Sequence, residues 1–376
     1  MQVFLYGTLC HPPLLRAVLG RDVARMPARL PGHVLRVAEG LETPLLIPDP
    51  AGSVEGLLTA ELDAASLARL DFYEDLFGYR AEEAGVVAGT GPKAARLYRP
   101  DPGAAAPGGD WSLAAWARRW GPAVTATAEH LMALGGELPP DAVARRYHQM
   151  LVHGASRARA AAEPAPARVR RAMQPGDIAQ EAIRQPYAHF FSVEEYDLRF
   201  RRFSGEMSDT VNRAVFISGD AATVLPYDPV RDRVLVIEQF RPGPYARGAA
   251  NPWMLEPVAG RVDPEETPEE TARREAMEEA GIAVGDLHLV GRYYPTPGAK
   301  SEFLHSYIGI ADLPDGAAGI GGMLTEDEDI RGHILPFGTF LDVAKGPEGG
   351  VGPLLLSALW LELHRPRLRA AAGQGA

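Results

Sequence analysis

The stretch Gly260–Ile282, GRVDPEETPEETARREAMEEAGI, sets Gly260, Glu266, Arg274, Glu275, Glu278, Glu279 and Gly281 in the spacing G-x5-E-x7-R-E-x-x-E-E-x-G. From Thr267 to Ala280 it is rich in Glu, Ala, Arg and Met, which lose little rotamer freedom in a helix. Pro268 suits a first helical turn, Thr267 an N-cap and Gly281 a C-terminal cap. The pattern therefore predicts one helix with Glu275, Glu278 and Glu279 on a single face, because positions i, i+3 and i+4 adjoin. Three like charges on one face repel unless a cation neutralises them. A hard divalent ion takes oxygen ligands and leaves positions for water and phosphate. Clustered glutamates usually form only a solvated face, but the bracketing glycines, Glu266 and the Arg274–Glu275 pair tip the balance here.

Upstream, Val224–Asp232 and Val234–Pro242 are apolar, β-branched runs joined by a Pro/Asp turn, read as a hairpin, and Trp253–Gly260 leads into the helix. Downstream, Pro297 lies in YPTPG and Leu324–Arg331 forms the acidic run LTEDEDIR. The whole resembles a Nudix box in its domain, with Ala276 in place of the usual aliphatic residue. Pro297 and the acidic loop are similar to the ADP-ribose pyrophosphatase branch, and the likeness covers roughly residues 195 to 368.

Composition sets bounds on the rest. A chain of 376 residues exceeds one average domain. One cysteine, Cys10, excludes an intramolecular disulfide and fits a reducing, cytoplasmic setting. No apolar run reaches the eighteen residues of a membrane span, and the start MQVFLYGTL is unlike a signal peptide. A net charge of −11 argues against nonspecific nucleic-acid binding. The Ala-, Pro- and Arg-rich run Gly154–Pro175 reads as a linker, and Asp101–Asp110 as a second break. Helices are expected over Trp111–Gly135 and Pro140–Val152. No internal repeat relates the halves. The expected organisation is residues 1–153 as a first domain with a helical extension, 154–185 as linker and 186–370 as the Nudix domain.

In the first domain, Gln2–Leu9 is a short apolar strand ending in the turn Tyr6-Gly7-Thr8-Leu9, and Leu67–Arg80 contains Glu74. With Val54–Ala60 between them, these resemble the γ-glutamylcyclotransferase-like (AIG2-like) family. The resemblance implies a β-barrel/α domain in which Tyr6, Gly7, Thr8 and Leu9 hold a γ-glutamyl carboxylate and Glu74 shuttles the proton. Cyclisation is intramolecular, so orientation plus one acid/base can suffice. A noncatalytic interaction module is the alternative, since fold does not fix function.

For the second domain the resemblance implies an α/β/α sandwich, dimeric, hydrolysing ADP-ribose to AMP and ribose 5-phosphate with Mg2+; Mn2+ suits the same oxygen ligands. It makes Glu275, Glu279, Glu328 and the Ala259 carbonyl metal ligands and Glu326 the general base. Glu278 would orient the cluster, Arg274 brace it and Glu266 tie loop to helix. Arg213, Arg241 and Glu302 would contact substrate, with Tyr196, Phe200 and Phe203 as candidates to stack on the base. Other readings are a hydrolase of a different nucleoside diphosphate sugar or dinucleotide, and a noncatalytic ADP-ribose sensor. The intact glutamates oppose the sensor. The overall fold class is α+β with two domains.

Overall fold

The computed structural model describes residues 1–39, 43–89, 91–100, 105–134, 140–323 and 328–373. The chain divides into two compact units, Met1–Phe216 and Ile217–Ala376.

The first unit opens with β1 (Phe4–Leu5), a 3-10 turn at Gly7–Cys10, α1 (Pro12–Leu19), β2 (Arg25–Ala38) and β3 (Pro44–Thr59). Then come α2 (Ala64–Asp75), β4 (Tyr79–Ala88), β5 (Gly91–Pro100) and β6 (Pro107–Asp110). Its strands run in the order β1-β3-β2-β4-β5, with β6 on β2. The expected barrel is not closed. The sheet is an open path, and β1 and β5 approach one another only through an isolated parallel bridge between Val3 and Arg96. A two-residue β1 is too short to form a second full ladder.

Helices α3 (Leu113–Arg119), α4 (Gly121–Leu134) and α5 (Pro140–Ala162) follow. The single helix expected over Trp111–Gly135 is broken, because Pro122 has no N–H to continue the ladder and the chain restarts at Gly121. The expected linker is also partly helical, since α5 runs on to Ala162. Val152 and Ala155 are buried, and Arg157 grips the fully buried Glu194 with both carboxylate oxygens. β7 (Ile178–Ala188), β8 (Ser192–Phe200) and β9 (Val211–Ile217) form a separate antiparallel sheet within this unit.

The second unit contains β10 (Ala221–Asp228), β11 (Arg233–Phe240), α6 (Pro242–Arg247), β12 (Trp253–Glu256), β13 (Val258–Arg261) and α7 (Pro268–Ala280). It continues with β14 (Val284–Tyr293), β15 (Leu304–Ala311), β16 (Ile320–Gly321), β17 (Ile330–Pro336), α8 (Phe337–Lys345) and α9 (Gly352–Gly373). The strand order is β14-β15-β10-β11-β17-β16, with β12 on β11 and β13 on β10. Strands β10 and β11 are the predicted hairpin, and β10 pairs in parallel with the distant β15. Along β11, Leu235 and Ile237 pack with Ala272 and Ala276 of α7, whereas Val234 and Val236 pack with Phe340, Leu354 and Leu361 of α8 and α9. Strand alternation thus covers both faces of one sheet with helices, the α/β/α arrangement expected.

Candidate active site

Helix α7 begins where its sequence says it should. The Thr267 hydroxyl accepts from the Glu270 N–H, and the Glu270 carboxylate accepts from the Thr267 N–H, closing a reciprocal cap. Such caps contribute about 1 kcal/mol and fix where the helix starts. Gly281 ends it. Between these points Glu275 and Glu279 turn inward and Glu278 lies at the surface.

Arg274 ties the cluster together. Its guanidinium donates to Glu266 Oε1 at 2.8 Å, Glu275 Oε1 at 2.7 Å and Glu278 Oε2 at 2.8 Å, while Glu266 also accepts from Thr271. The three pairings hold Arg274 above the usual arginine range. Burial raises Glu266, but the bonds from Arg274 and Thr271 outweigh it and leave that carboxyl below its ordinary value. Gly260 is required by space: a Cβ there would lie 1.8 Å from Glu275 Oε1. The Ala259 N–H donates to Glu279 Oε2 at 3.1 Å, which sets the Ala259 peptide against that carboxylate.

Burial pushes the Glu275 carboxyl up to about 7 against the pull of Arg274, and the Glu279 carboxyl up to about 9. The charge of Glu328 adds to both shifts, so it belongs to the same cluster. Glu328 also braces its own loop by accepting from the Met323 N–H at 3.1 Å. Glu326 lies outside the described residues. Arg241 makes a two-pronged pair with Glu256, and this outweighs burial to hold the arginine above its ordinary value. Glu279 and Glu328 also act on Arg241, which places it at the same site. Glu302 pairs with Lys300 at 2.9 Å. Arg213 is an exposed residue of β9 in the first unit, as Phe203 is of its loop, and the Tyr196 hydroxyl is engaged by Glu194. Sequence reading missed Glu256, whose only signal was its place in Trp253–Gly260, a run that pairs with the strand leading to Arg241.

In the first unit the Tyr6–Leu9 turn and Glu74 both enter the folded core. Gly7 takes φ +64°, and a Cβ would also strike Pro44 Cγ at 2.2 Å, so no other residue fits. Leu9 is a core side chain, leaving only its backbone for a ligand, and the Tyr6 hydroxyl donates to the Tyr98 carbonyl. Glu74, at the end of α2, is buried, and desolvation pushes its carboxyl up to about 8. Its charge acts on the hydroxyls of Tyr6, Tyr73, Tyr79 and Tyr98 and raises each of them.

Comparison with known proteins agrees with both halves. The NUDIX domain model matches residues 218–337, and the model for gamma-glutamyl cyclotransferase, AIG2-like, matches residues 3–113. The ADP-ribose pyrophosphatase of Escherichia coli (strain K12) is 38% identical over 192 residues, which is 51% of this chain and 90% of that protein. The chain belongs to the Nudix family. The GDP-mannose pyrophosphatase of Escherichia coli O1:K1 / APEC is 31% identical over 175 residues, 46% of this chain and 90% of that relative. A crystal structure of an ADP compounds hydrolase aligns with a TM-score of 0.40 and 21% identity, covering 51% of this chain and 98% of that one.

Nudix hydrolases use a divalent metal such as Mg2+. Among the described residues no three acidic, His or Cys side chains converge as a finished cage, because Arg274 and the Ala259 N–H hold the carboxylates of the Nudix box. The donor set nonetheless fits. Glu275, Glu279 and Glu328 offer only hard oxygens, and burial raises the first two so that protons would compete with a cation there near neutrality.

This fit predicts a pH dependence. Raised carboxyl pKa values mean that the folded Nudix domain binds more protons than the unfolded chain, so its metal-free stability falls as pH rises through about 7 to 9. Protection by Mg2+ should grow over the same interval. Thermal unfolding between about pH 6 and about pH 9, with and without Mg2+, measures both. A Mg2+ effect that does not change with pH would contradict the assignment.

Proposed function

We propose that the Nudix domain hydrolyses the diphosphate bond of ADP-ribose, giving AMP and ribose 5-phosphate, with Mg2+ or Mn2+ as the cation. The observation that carries this reading is the pairing of half-buried Glu275 with buried Glu279, braced by Arg274 and joined by Glu328 and Arg241. The similarity to ADP-ribose pyrophosphatase over most of that protein's length directs the substrate. Glu275, Glu279, Glu328 and the Ala259 carbonyl would hold the metal. When bound, it screens the diphosphate charge, polarises phosphoryl oxygens and lowers the pKa of the attacking water. Arg274 keeps Glu275 and Glu278 oriented, and Glu266 keeps Arg274 fixed. Arg241, prealigned by Glu256, presents its remaining donors to phosphate oxygens. Glu302 suits ribose hydroxyls, and Glu326 is the proposed base.

Likeness to a GDP-mannose pyrophosphatase supports a second reading, in which the substrate is another nucleoside diphosphate sugar. Incubation of the full chain with Mg2+ and ADP-ribose, GDP-mannose or NADH, followed by chromatography, separates the readings. AMP and ribose 5-phosphate in equal amounts are expected. Cleavage of GDP-mannose in preference moves the substrate, and tight binding of ADP-ribose without cleavage of any compound would make the domain a sensor. A homodimer and a cytoplasmic setting belong to the same reading. Burial pushes the lone Cys10 thiol up to about 11, which keeps it in its unreactive form.

For the first unit the reading is γ-glutamyl cyclotransfer, with Glu74 as the proton shuttle. A carboxyl lifted by burial to about 8 is a stronger base than a solvated one and releases its proton near the working pH. Glu74→Gln should abolish 5-oxoproline formation from a γ-glutamyl amine, a loss of about 100-fold or more. Because glutamine keeps the size of this buried acid and cannot ionise, the variant should unfold no earlier than the parent, most clearly above about pH 8. Undiminished 5-oxoproline would leave Glu74 a structural acid.

A further inference from the structure

On β11 the side chain of Gln239 is buried, 6% exposed, and its Nε2 has no hydrogen-bond partner among the described residues. Buried amide donors are nearly always paired in native proteins, because leaving one unpaired is costly. The strand tells where this donor points. Leu235 and Ile237 belong to the core beneath α7, so Gln239 and Arg241 continue that face in alternation. Ile237 stands opposite Glu256, and Gln239 opposite Met254. To reach Glu256, the Arg241 side chain must therefore run back along the face past Gln239. Glu279 and Glu328 act on the same arginine. Alternation thus sets Gln239 between Ile237, which packs in the core beneath α7, and Arg241 on the same face of the chain.

None of the neighbouring acids takes its proton. Glu256 is engaged by Arg241 and one oxygen of Glu279 by the Ala259 N–H, and no hydrogen bond runs from Gln239 Nε2 to either. Among the described residues no acceptor meets this donor, and a diphosphate supplies oxygens that only accept. We propose that Gln239 is a substrate-binding residue whose amide donates to a phosphate oxygen of the diphosphate. This inference rests on the reading of the domain as a hydrolase of nucleoside diphosphate compounds. It assigns one neutral donor at a site whose other ligands are charged. Such a donor discriminates by position and keeps its hydrogen bond whatever the pH.

The test compares Gln239→Met with the parent full-length chain. Methionine keeps the size and removes the unpaired donor, so the free protein should unfold at the same temperature or higher. The kcat/KM for ADP-ribose with Mg2+ should fall about ten- to hundredfold, the loss of one hydrogen bond to a charged group. Competitive inhibition by ADP should weaken by a similar factor while inhibition by adenosine stays unchanged, since only ADP carries the diphosphate. Gln239→Glu keeps the shape but sets a carboxylate against phosphate, and should lose more. Parental kcat/KM and ADP inhibition in Gln239→Met would overturn this inference and leave the proposed function standing. So would a drop of several degrees in unfolding temperature with ADP and adenosine affected alike, which marks a structural amide. A parent chain that cleaves no nucleoside diphosphate compound would overturn both.

Discussion

Glu275→Gln is expected to lower kcat for diphosphate hydrolysis about a thousandfold or more while the protein folds as before. Removing one charged ligand from a metal site takes away several kcal/mol of transition-state charge stabilisation, and each 1.36 kcal/mol is about a factor of ten. The fold should not suffer. Glu275 is a half-buried acid that burial pushes up to about 7, so a neutral amide of the same shape removes a desolvation cost. Arg274 retains Glu266 and Glu278 as partners. Thermal unfolding in the absence of metal should therefore show the variant at least as stable at pH 8, and steady-state kinetics should show the loss in kcat. A variant that hydrolyses at the parental rate would remove Glu275 from the metal site. One that fails to fold would make its role structural.

Gly260→Ala should have an effect of similar size by a different route. The added methyl would sit 1.8 Å from Oε1 and 2.0 Å from Cδ of Glu275, contacts no pair of atoms can keep. Something must move, and the Glu275 carboxylate is both the nearest group and one held in place by Arg274. Overpacking of this kind costs about 1–3 kcal/mol. The larger consequence is that Glu275 leaves its position beside Glu279. Hydrolysis should fall by about two to three orders of magnitude, with apparent affinity for Mg2+ weakened, because a ligand displaced by an ångström is nearly a ligand lost. Serine should behave as alanine does. A Gly260→Ala enzyme with parental Mg2+ dependence would show that Glu275 can bind the ion from another rotamer.

The parts of this fold that were legible in the sequence are those governed by short-range physics. Helix α7 runs from Pro268 to Ala280, with the Thr267 cap and Gly281 stop that the residues announce, because caps and propensities act within a turn or two. The β10–β11 hairpin was legible for the same reason. What the sequence hid depends on distant partners. Residues 154–162 look like a tether, yet they continue α5 because Arg157 meets Glu194, a partner 37 positions away. No local pattern announces that β10 lies parallel to β15. At the candidate site, Glu275, Glu278 and Arg274 could be named from spacing alone, and the structure joins both glutamates to Arg274. Glu256 and Gln239 could not, because their roles come from cross-strand register. Arg213 was inferred from resemblance, and here it is an exposed residue of the first unit whose guanidinium donates to the neighbouring Asn212 carbonyl.

The three-way grip of Arg274 has a consequence for how the protein matures. In many small metalloproteins the ion is a folding partner, and the apo chain stays unfolded until it arrives. Here a cation carried by α7 itself, Arg274, pairs with Glu275 and Glu278 of that helix and with Glu266 in the loop before it. If the cation proposed above binds here, it meets carboxylates that the chain already holds in place, and its arrival need not be a folding step.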